Sequence, residues 1–286
     1  MEIGIGLPST IPGTSARQIL DWARAAEEHG FSSLGVIDRL VYGNTEPLVT
    51  LAAAAAVTTR IGLVTSVLIV PSRTNAALLA KQAATVNHLS AGRLTLGMAV
   101  GGYRDDYDAS GVPFRERGKR FDAMLDDMAG IWAGEPRGFA GAIGPQPGID
   151  RSRIIFGGNN DRAFARVATR GGGWIAGSSG VEAFGRGAER VRRAWTDHGR
   201  TGRPRLMALP YFSLGAQARA NAAAYLGDHY AIEGARADEV VQKTLTDAET
   251  LRATVTAYDR AGCDELLLFP CGADPDQVRL LAEAVR

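Results

Sequence analysis

Short β-branched runs alternate with longer stretches of helical period along all 286 residues. That alternation constrains the fold more than any single motif. A repeated strand–helix–strand unit pairs its strands in parallel and covers them with helices. The spacing predicts strands over Glu2–Leu7, Leu34–Asp38, Ile61–Val70, Arg93–Val100, Arg153–Phe156, Gly173–Ala176, Arg205–Leu214 and Glu265–Phe269. Helices are expected over Ser15–His29, Glu46–Thr58, Asn75–Leu89, Arg115–Trp132, Asp161–Arg170 and Val181–His198. Further helical stretches cover Ala216–Tyr225, Ala237–Leu245 and Asp247–Ala261.

Local signals sharpen the boundaries. Ser15 and Gln18 have capping-box spacing, Ile19, Trp22, Ala23 and Ala26 share a face, and Gly30 follows as a stop. In the third helix Leu78, Leu79, Gln82, Val86 and Leu89 lie along one stripe. The last helix opens at Asp274-Pro275-Asp276-Gln277, with an N-cap, a Pro at N1 and a Gln at N3. Eight strand–helix units of roughly 36 residues each are the arithmetic of a closed (β/α)8 barrel, an α/β TIM barrel in a single domain over 1–286. A doubly wound open sheet usually carries fewer strands. The long irregular stretch, Ala133–Asp150, reads as an excursion between the fourth helix and the fifth strand, because neither half alone would close a barrel.

Composition excludes several function classes. With 32 basic and 31 acidic residues the net charge is +1, so there is no basic excess to hold a nucleic-acid backbone and no nucleic-acid partner is expected. The longest apolar run, Leu51–Val57, is far short of the ~20 residues of a membrane helix. The N-terminal residues do not resemble a signal peptide, and two cysteines, Cys263 and Cys271, suit a reducing compartment, so a cytoplasmic location is expected. No P-loop, no H-E-x-x-H and no C-x-x-C occurs, and no metal site is expected. Gly177-Ser178-Ser179-Gly180 is one residue short of a nucleophile elbow. His29, His88 and His198 fall near helix C-termini, where a cation or polar cap is the simplest role; His229 has no such place and is left open as a substrate contact.

In a barrel of this type the site lies at the C-terminal ends of the strands. The candidate stretches are therefore Asp38-Arg39, Ser66–Pro71, Gly101–Asp106, Gly157–Asn160, Gly177–Gly180, Leu209–Phe212 and Phe269–Gly272, and three of these ends carry a positive signal. Ile155-Phe156-Gly157-Gly158-Asn159-Asn160-Asp161 runs from a buried strand through two glycines into a helix start, which is either an anion site or an ordinary capped turn. Val100-Gly101-Gly102-Tyr103-Arg104-Asp105-Asp106 would let a flat ring approach and an Arg pair with phosphate, or is a solvated loop with a local ion pair. Thr65-Ser66 interrupts an apolar strand, so each hydroxyl needs either a cofactor edge or a neighbouring carbonyl.

These pieces resemble the bacterial luciferase-like superfamily of flavin- and deazaflavin-dependent oxidoreductases. The resemblance rests on Thr65–Gly101, above all Ala80-Lys81-Gln82-Ala83-Ala84-Thr85 and Leu89-Ser90-Ala91-Gly92-Arg93-Leu94-Thr95-Leu96-Gly97. Ser110-Gly111-Val112-Pro113-Phe114, Gly157-Gly158, Gly172-Gly173-Trp174-Ile175 and Ala261-Gly262-Cys263-Asp264-Glu265-Leu266 extend it. It implies a barrel binding FMN, or alternatively the 5-deazaflavin coenzyme F-420, at its mouth. A bulge after the third strand, often with a non-prolyl cis peptide, would support the ring at Ser66-Val67. The phosphate would lie at Gly101, Gly102, Tyr103 and Arg104 and at Gly157, Gly158, Asn159 and Asn160, with Asp38 as a ring-side acid.

Many relatives carry a His where this chain has Arg39, which cannot act as a base at neutral pH but could stabilise negative charge. Asp38 and Arg39 are therefore the expected catalytic pair. The chain is short between Trp132 and Arg153, so the pocket is expected to be more open, or closed by a partner subunit. The resemblance implies monooxygenation of a small organic substrate with reduced FMN and oxygen, or alternatively hydride transfer by reduced deazaflavin. A non-catalytic flavin-binding barrel is the reading from a different class. A separate flavin reductase and a homo-oligomer are the partners implied.

Overall fold

In the computed structural model, which describes residues 1–285, every strand of the repeat pairs in parallel with the next. The strands are β1 (Glu2–Gly6), β2 (Ser33–Val36), β3 (Gly62–Ile69), β4 (Leu94–Ala99), β5 (Ile154–Gly157), β6 (Gly173–Ala176), β7 (Arg205–Ala208), β8 (Tyr211–Phe212) and β9 (Glu265–Pro270). Ile3 and Ile5 of β1 pair with Leu266 and Leu268 of β9, which closes the sheet into a barrel. The β4–β5 pairing joins the two halves of the chain, so the excursion over 133–150 lies within one barrel and separates no second sheet.

The seventh strand differs from the expected Arg205–Leu214. It is broken into β7 and β8 at Leu209-Pro210, yet both pieces keep one register against β9, with Met207 opposite Glu265 and Tyr211 opposite Phe269. Pro210 has no N–H for a ladder on both sides, although its carbonyl still accepts from Phe269 N at 2.9 Å. Beyond Leu209 the strand no longer pairs with β6 and continues beside β9 alone.

The helices are α1 (Ala16–Glu28), α2 (Pro47–Ala56), α3 (Ala76–Leu89), α4 (Arg104–Ala109), α5 (Arg117–Trp132), α6 (Asp161–Arg170), α7 (Val181–Asp197), α8 (Ala218–His229), α9 (Ala235–Gln242), α10 (Ala248–Arg260) and α11 (Asp276–Val285). Both arms of the expected capping box form: Ser15 Oγ accepts from Gln18 N and Gln18 Oε1 accepts from Ser15 N. The Gln at the start of α11 does something else. Gln277 turns inward, accepts from Leu214 N and donates to Leu214 O, both at 2.8 Å, and so ties α11 to the chain beyond β8.

The buried face of α3 also departs from the sequence stripe. Leu79, Ala80, Ala83, Ala84 and Val86 face inward, whereas Leu78 and Leu89 are more than half exposed. Small alanines let α3 sit close against its neighbours, and that close approach sets the rotation. Two apolar layers result. An outer one lies between strands and helices, with Trp22, Phe121, Phe156, Trp174 and Phe184 among its members. An inner one fills the barrel with Val64, Ile155, Ile175, Met207, Leu267 and Phe269. No described helix is long and apolar enough to cross a membrane.

Candidate active site at the barrel mouth

The third strand carries a register shift between Thr65 and Leu68, and the Ser66–Val67 peptide within it is cis. The shift is a bulge that re-aims side chains at the strand's C-terminal end. Both hydroxyls meet neighbouring carbonyls: Thr65 Oγ1 donates to Gly97 O at 2.7 Å and Ser66 Oγ to Val36 O at 3.1 Å. Val67 is left facing the mouth, packed at the edge of the inner apolar layer.

Opposite Val67 stands a cavity of about 320 Å3, the lower end of the range for small-ligand pockets. Ser66, Val67 and Ala99 form one side, and Gly157, Gly158 and Asn159 continue it. Trp174 to Gly177, Ser179 and Leu209, with Ala183 and Phe184 near the start of the helix after the sixth strand, complete it. Glycines keep it open. A Cβ at Gly157 would stand 3.3 Å from Val67 Cγ1 and 3.4 Å from Ala99 Cβ. Gly158 has φ +115, and a Cβ there would lie 2.9 Å from Ala163 Cβ. Gly177 faces open space.

The cavity lies beside the starts of α6 and α7. Asn160 caps α6 by accepting from Ala163 N at 3.0 Å, so its side chain turns to the helix and does not line the cavity. The start of α7 has Gly180 as N-cap with no side-chain acceptor, which leaves its first N–H groups uncapped.

Of the residues expected at the site, the structure brings together Ser66, Val67, Gly157, Gly158 and Asn159. It does not bring Gly101, Gly102, Tyr103 or Arg104 to this cavity. The stretch read as a loop is the start of α4, with Tyr103 as its N-cap. Arg104 is largely exposed, 3.6 Å from Asp108 and over the Phe114 ring. Gly101 has φ +68 and leaves room for Ile69, whose Cγ2 would stand 2.7 Å from a Cβ. Gly177 and Ser179 belong to the strand end Gly177–Gly180 that the sequence offers as a candidate, whereas nothing in the sequence marks Trp174 as a site residue. The Gly-Ser-Ser-Gly run after the sixth strand was the available signal, and it points to backbone N–H groups, not to a nucleophile.

Asp38 and Arg39 are buried at the end of β2, away from the cavity lining. Asp38 accepts from Ile69 N and from Arg73 Nη1, each at 2.7 Å. The Arg39 guanidinium lies 3.3 Å from Asp106, which also accepts from Leu40 N and Val41 N. The same guanidinium sits 3.5 Å from the centroid of the Tyr103 ring. Tyr103 in turn donates to Glu233 at 2.5 Å, and Tyr42 donates to Asp228 at 2.6 Å. His229 is buried among Tyr42, Tyr225 and Tyr230, and its Nδ1 has no protein partner. Burial, followed by the Arg39 charge, pushes the His229 imidazole down to about 4, so it is neutral near pH 7. These contacts seat α8 and the turn after it over the β2 and β4 ends of the mouth. Arg39, expected as a charge-stabilising residue, and Tyr103, expected at the cofactor, are thus engaged with each other, with Asp106 and with Glu233.

Comparisons with known proteins agree with this architecture. The sequence profile of luciferase-like monooxygenases matches residues 1–286. An uncharacterized protein of Mycobacterium tuberculosis is 32% identical over 208 residues, covering 63% of this chain and 72% of that protein. An F420-dependent glucose-6-phosphate dehydrogenase of Nocardia farcinica is 32% identical over 150 residues, which are 49% of this chain and 45% of that enzyme. Among solved structures, an F420-dependent secondary alcohol dehydrogenase in complex with an F420-acetone adduct superposes with a TM-score of 0.83 at 16% identity, over 100% of this chain and 99% of that one. The oxygenating constituent of 3,6-diketocamphane monooxygenase of Pseudomonas putida, in complex with FMN, superposes with a TM-score of 0.79 at 18% identity, over 100% and 98%. With a closed (β/α)8 barrel, a bulged third strand and a match along its whole length, the chain belongs to the luciferase-like monooxygenase family.

Proposed function

We propose that the chain is an oxidoreductase that holds a 5-deazaflavin cofactor in the mouth cavity and uses it to move hydride to or from a small organic substrate. One observation carries the reading: the bulge at Ser66-Val67 faces a cavity whose far wall is glycine backbone beside two helix starts. The donor set suits a flat ring with a phosphate tail. Val67 offers an apolar face to a ring, and Gly157 leaves the wall flat enough to take one. Gly158, Asn159, Gly177 and Ser179 surround the end nearest the uncapped start of α7, where an anion is stabilised by N–H groups and the helix dipole. A bound cofactor of this class supplies the redox chemistry, and the barrel supplies position and electrostatics.

Deazaflavin is favoured by the F420-dependent enzymes of Nocardia farcinica and Gordonia bronchialis among the curated relatives. FMN is the second reading, favoured by the FMN-bearing structural neighbour and by the family's name. It would entail oxygen and a separate flavin reductase. Titration of the purified chain with F-420 and with FMN, followed by absorbance, separates the two. F-420 binding with hydride transfer to a carbonyl or alcohol panel is expected. Binding of FMN alone would move the assignment to monooxygenation, and binding of neither would overturn both.

A further inference from the structure

We infer that Trp174 is a positioning residue that aims the Gly158–Asn159 peptide at the anionic end of the cofactor. The inference rests on the flavin-type reading above. Trp174 belongs to β6, opposite Phe156 of β5, and is 2% exposed. Its ring is held on three sides. Phe184 of α7 stacks on it at 5.8 Å and 22°, and Phe164 of α6 meets it edge-on at 5.9 Å. Gly187 of α7 leaves room for the ring's far end, since a Cβ there would stand 2.4 Å from Trp174 Cη2. An indole fixed in this way has one hydrogen-bonding group to place. Its Nε1 donates to Gly158 O at 2.8 Å.

That bond settles a backbone choice. Gly158 has φ +115, a region in which only glycine is at ease, and the carbonyl of the peptide that follows is held by the Trp174 indole. The Gly158–Asn159 peptide is trans, so its N–H points opposite to its C=O. With the carbonyl pinned to the indole in the outer layer, the Asn159 N–H is turned away from that layer. Asn159 lines the cavity, and its N–H donates to no protein group among the described residues. The indole N–H is spent on Gly158 O, so its effect on a phosphate runs through the backbone donor it aims. A purely structural Trp would contribute packing alone, and phenylalanine would replace it.

The experiment compares each phosphate-bearing cofactor with its phosphate-free riboside, FMN with riboflavin and F-420 with the deazaflavin riboside. Trp174→Phe keeps a ring against Phe184 and removes the donor. Loss of one hydrogen bond predicts that the phosphate-bearing ligand weakens roughly three- to tenfold while its riboside is unchanged. Gly187→Ala displaces the indole from outside the cavity and is expected to show the same selective loss. In the wild-type chain, the Asn159 amide N–H resonance should move further on adding the phosphate-bearing cofactor than on adding its riboside. Equal loss for both ligands, no loss in either variant, or a resonance that moves no further with the phosphate-bearing cofactor would each overturn the inference. A wild-type chain that binds none of the four ligands would instead overturn the cofactor reading on which it rests.

Discussion

Arg39 shows how one residue type can suit two roles until its partners are known. Its sequence position, directly after Asp38 at a strand end, allows a cation beside a reduced ring. In the folded chain its charge is met by Asp106 and its flat face by Tyr103. Both members of the pair are buried, so removing one leaves the other uncompensated. Arg39→Met is expected to lower unfolding stability by about 3 kcal/mol in a denaturant titration. The reduction potential of a bound cofactor should not move, and a drop in potential at unchanged stability would restore the ring-side role. Gly158, in contrast, lines the cavity and has a left-handed backbone. Gly158→Val adds a β-branched side chain at φ +115 against Ala163. We expect cofactor affinity to fall by more than about tenfold, and a variant that binds normally would place the anion elsewhere.

At the scale of elements, close backbone approach decides which residues a strand tolerates. A Cβ on Gly97 in β4 would lie 2.0 Å from Thr65 O in β3, where neither strand can give way. Gly97→Ala should therefore cost at least about 3 kcal/mol or abolish soluble expression. Gly102→Ala, which meets nothing within 4 Å, should stay within about 0.5 kcal/mol. Melting curves of the two variants side by side test the contrast. Glu27 near the end of α1 makes another link between elements. Its carboxylate accepts from Thr59 N, Arg60 N and Ile61 N and so anchors the entry to β3. Burial alone would raise its pKa, but those N–H donors overcome it and hold the group down to about 2. The sign follows directly: the contribution is fully present above the ordinary carboxylate range and is lost as pH falls toward 2. Glu27→Gln should shrink the difference in stability between pH 5 and pH 2.5, read by urea unfolding. An unchanged acid limb would show that this carboxylate is not part of it.

Across the whole molecule, the segment from α8 to α9 is joined to the barrel by contacts between residues far apart in the chain. Tyr103 reaches Glu233 across 130 positions, Tyr42 reaches Asp228 across 186, and Lys243 donates to Ser179 O at 3.3 Å. Removing the two phenol hydroxyls together, with Tyr42→Phe and Tyr103→Phe, should raise amide exchange over residues 218–242 roughly tenfold. The barrel strands should exchange as before. Uniformly faster exchange would mean that the phenols support the barrel itself rather than this segment.

The alternation of short strands with helices was enough to identify a closed eight-stranded parallel barrel, because that signal is written in periodicity over about ten residues at a time. The Ser15–Gln18 cap is legible for the same reason, being a local backbone requirement. So is part of the cavity wall: Gly157, Gly158 and Asn159 follow a strand and precede a helix, where bare N–H groups collect. What no local pattern encodes is which strand ends converge. Tertiary structure alone joined Gly157–Asn159 to Trp174–Gly177 and not to Gly101–Arg104. It also gave Asp38 to Arg73, Arg39 to Asp106 and Tyr103 to Glu233. Side-chain chemistry names the partners a residue can take. Which partner it takes depends on barrel register and on the tilt of elements that lie tens to hundreds of residues away in the chain.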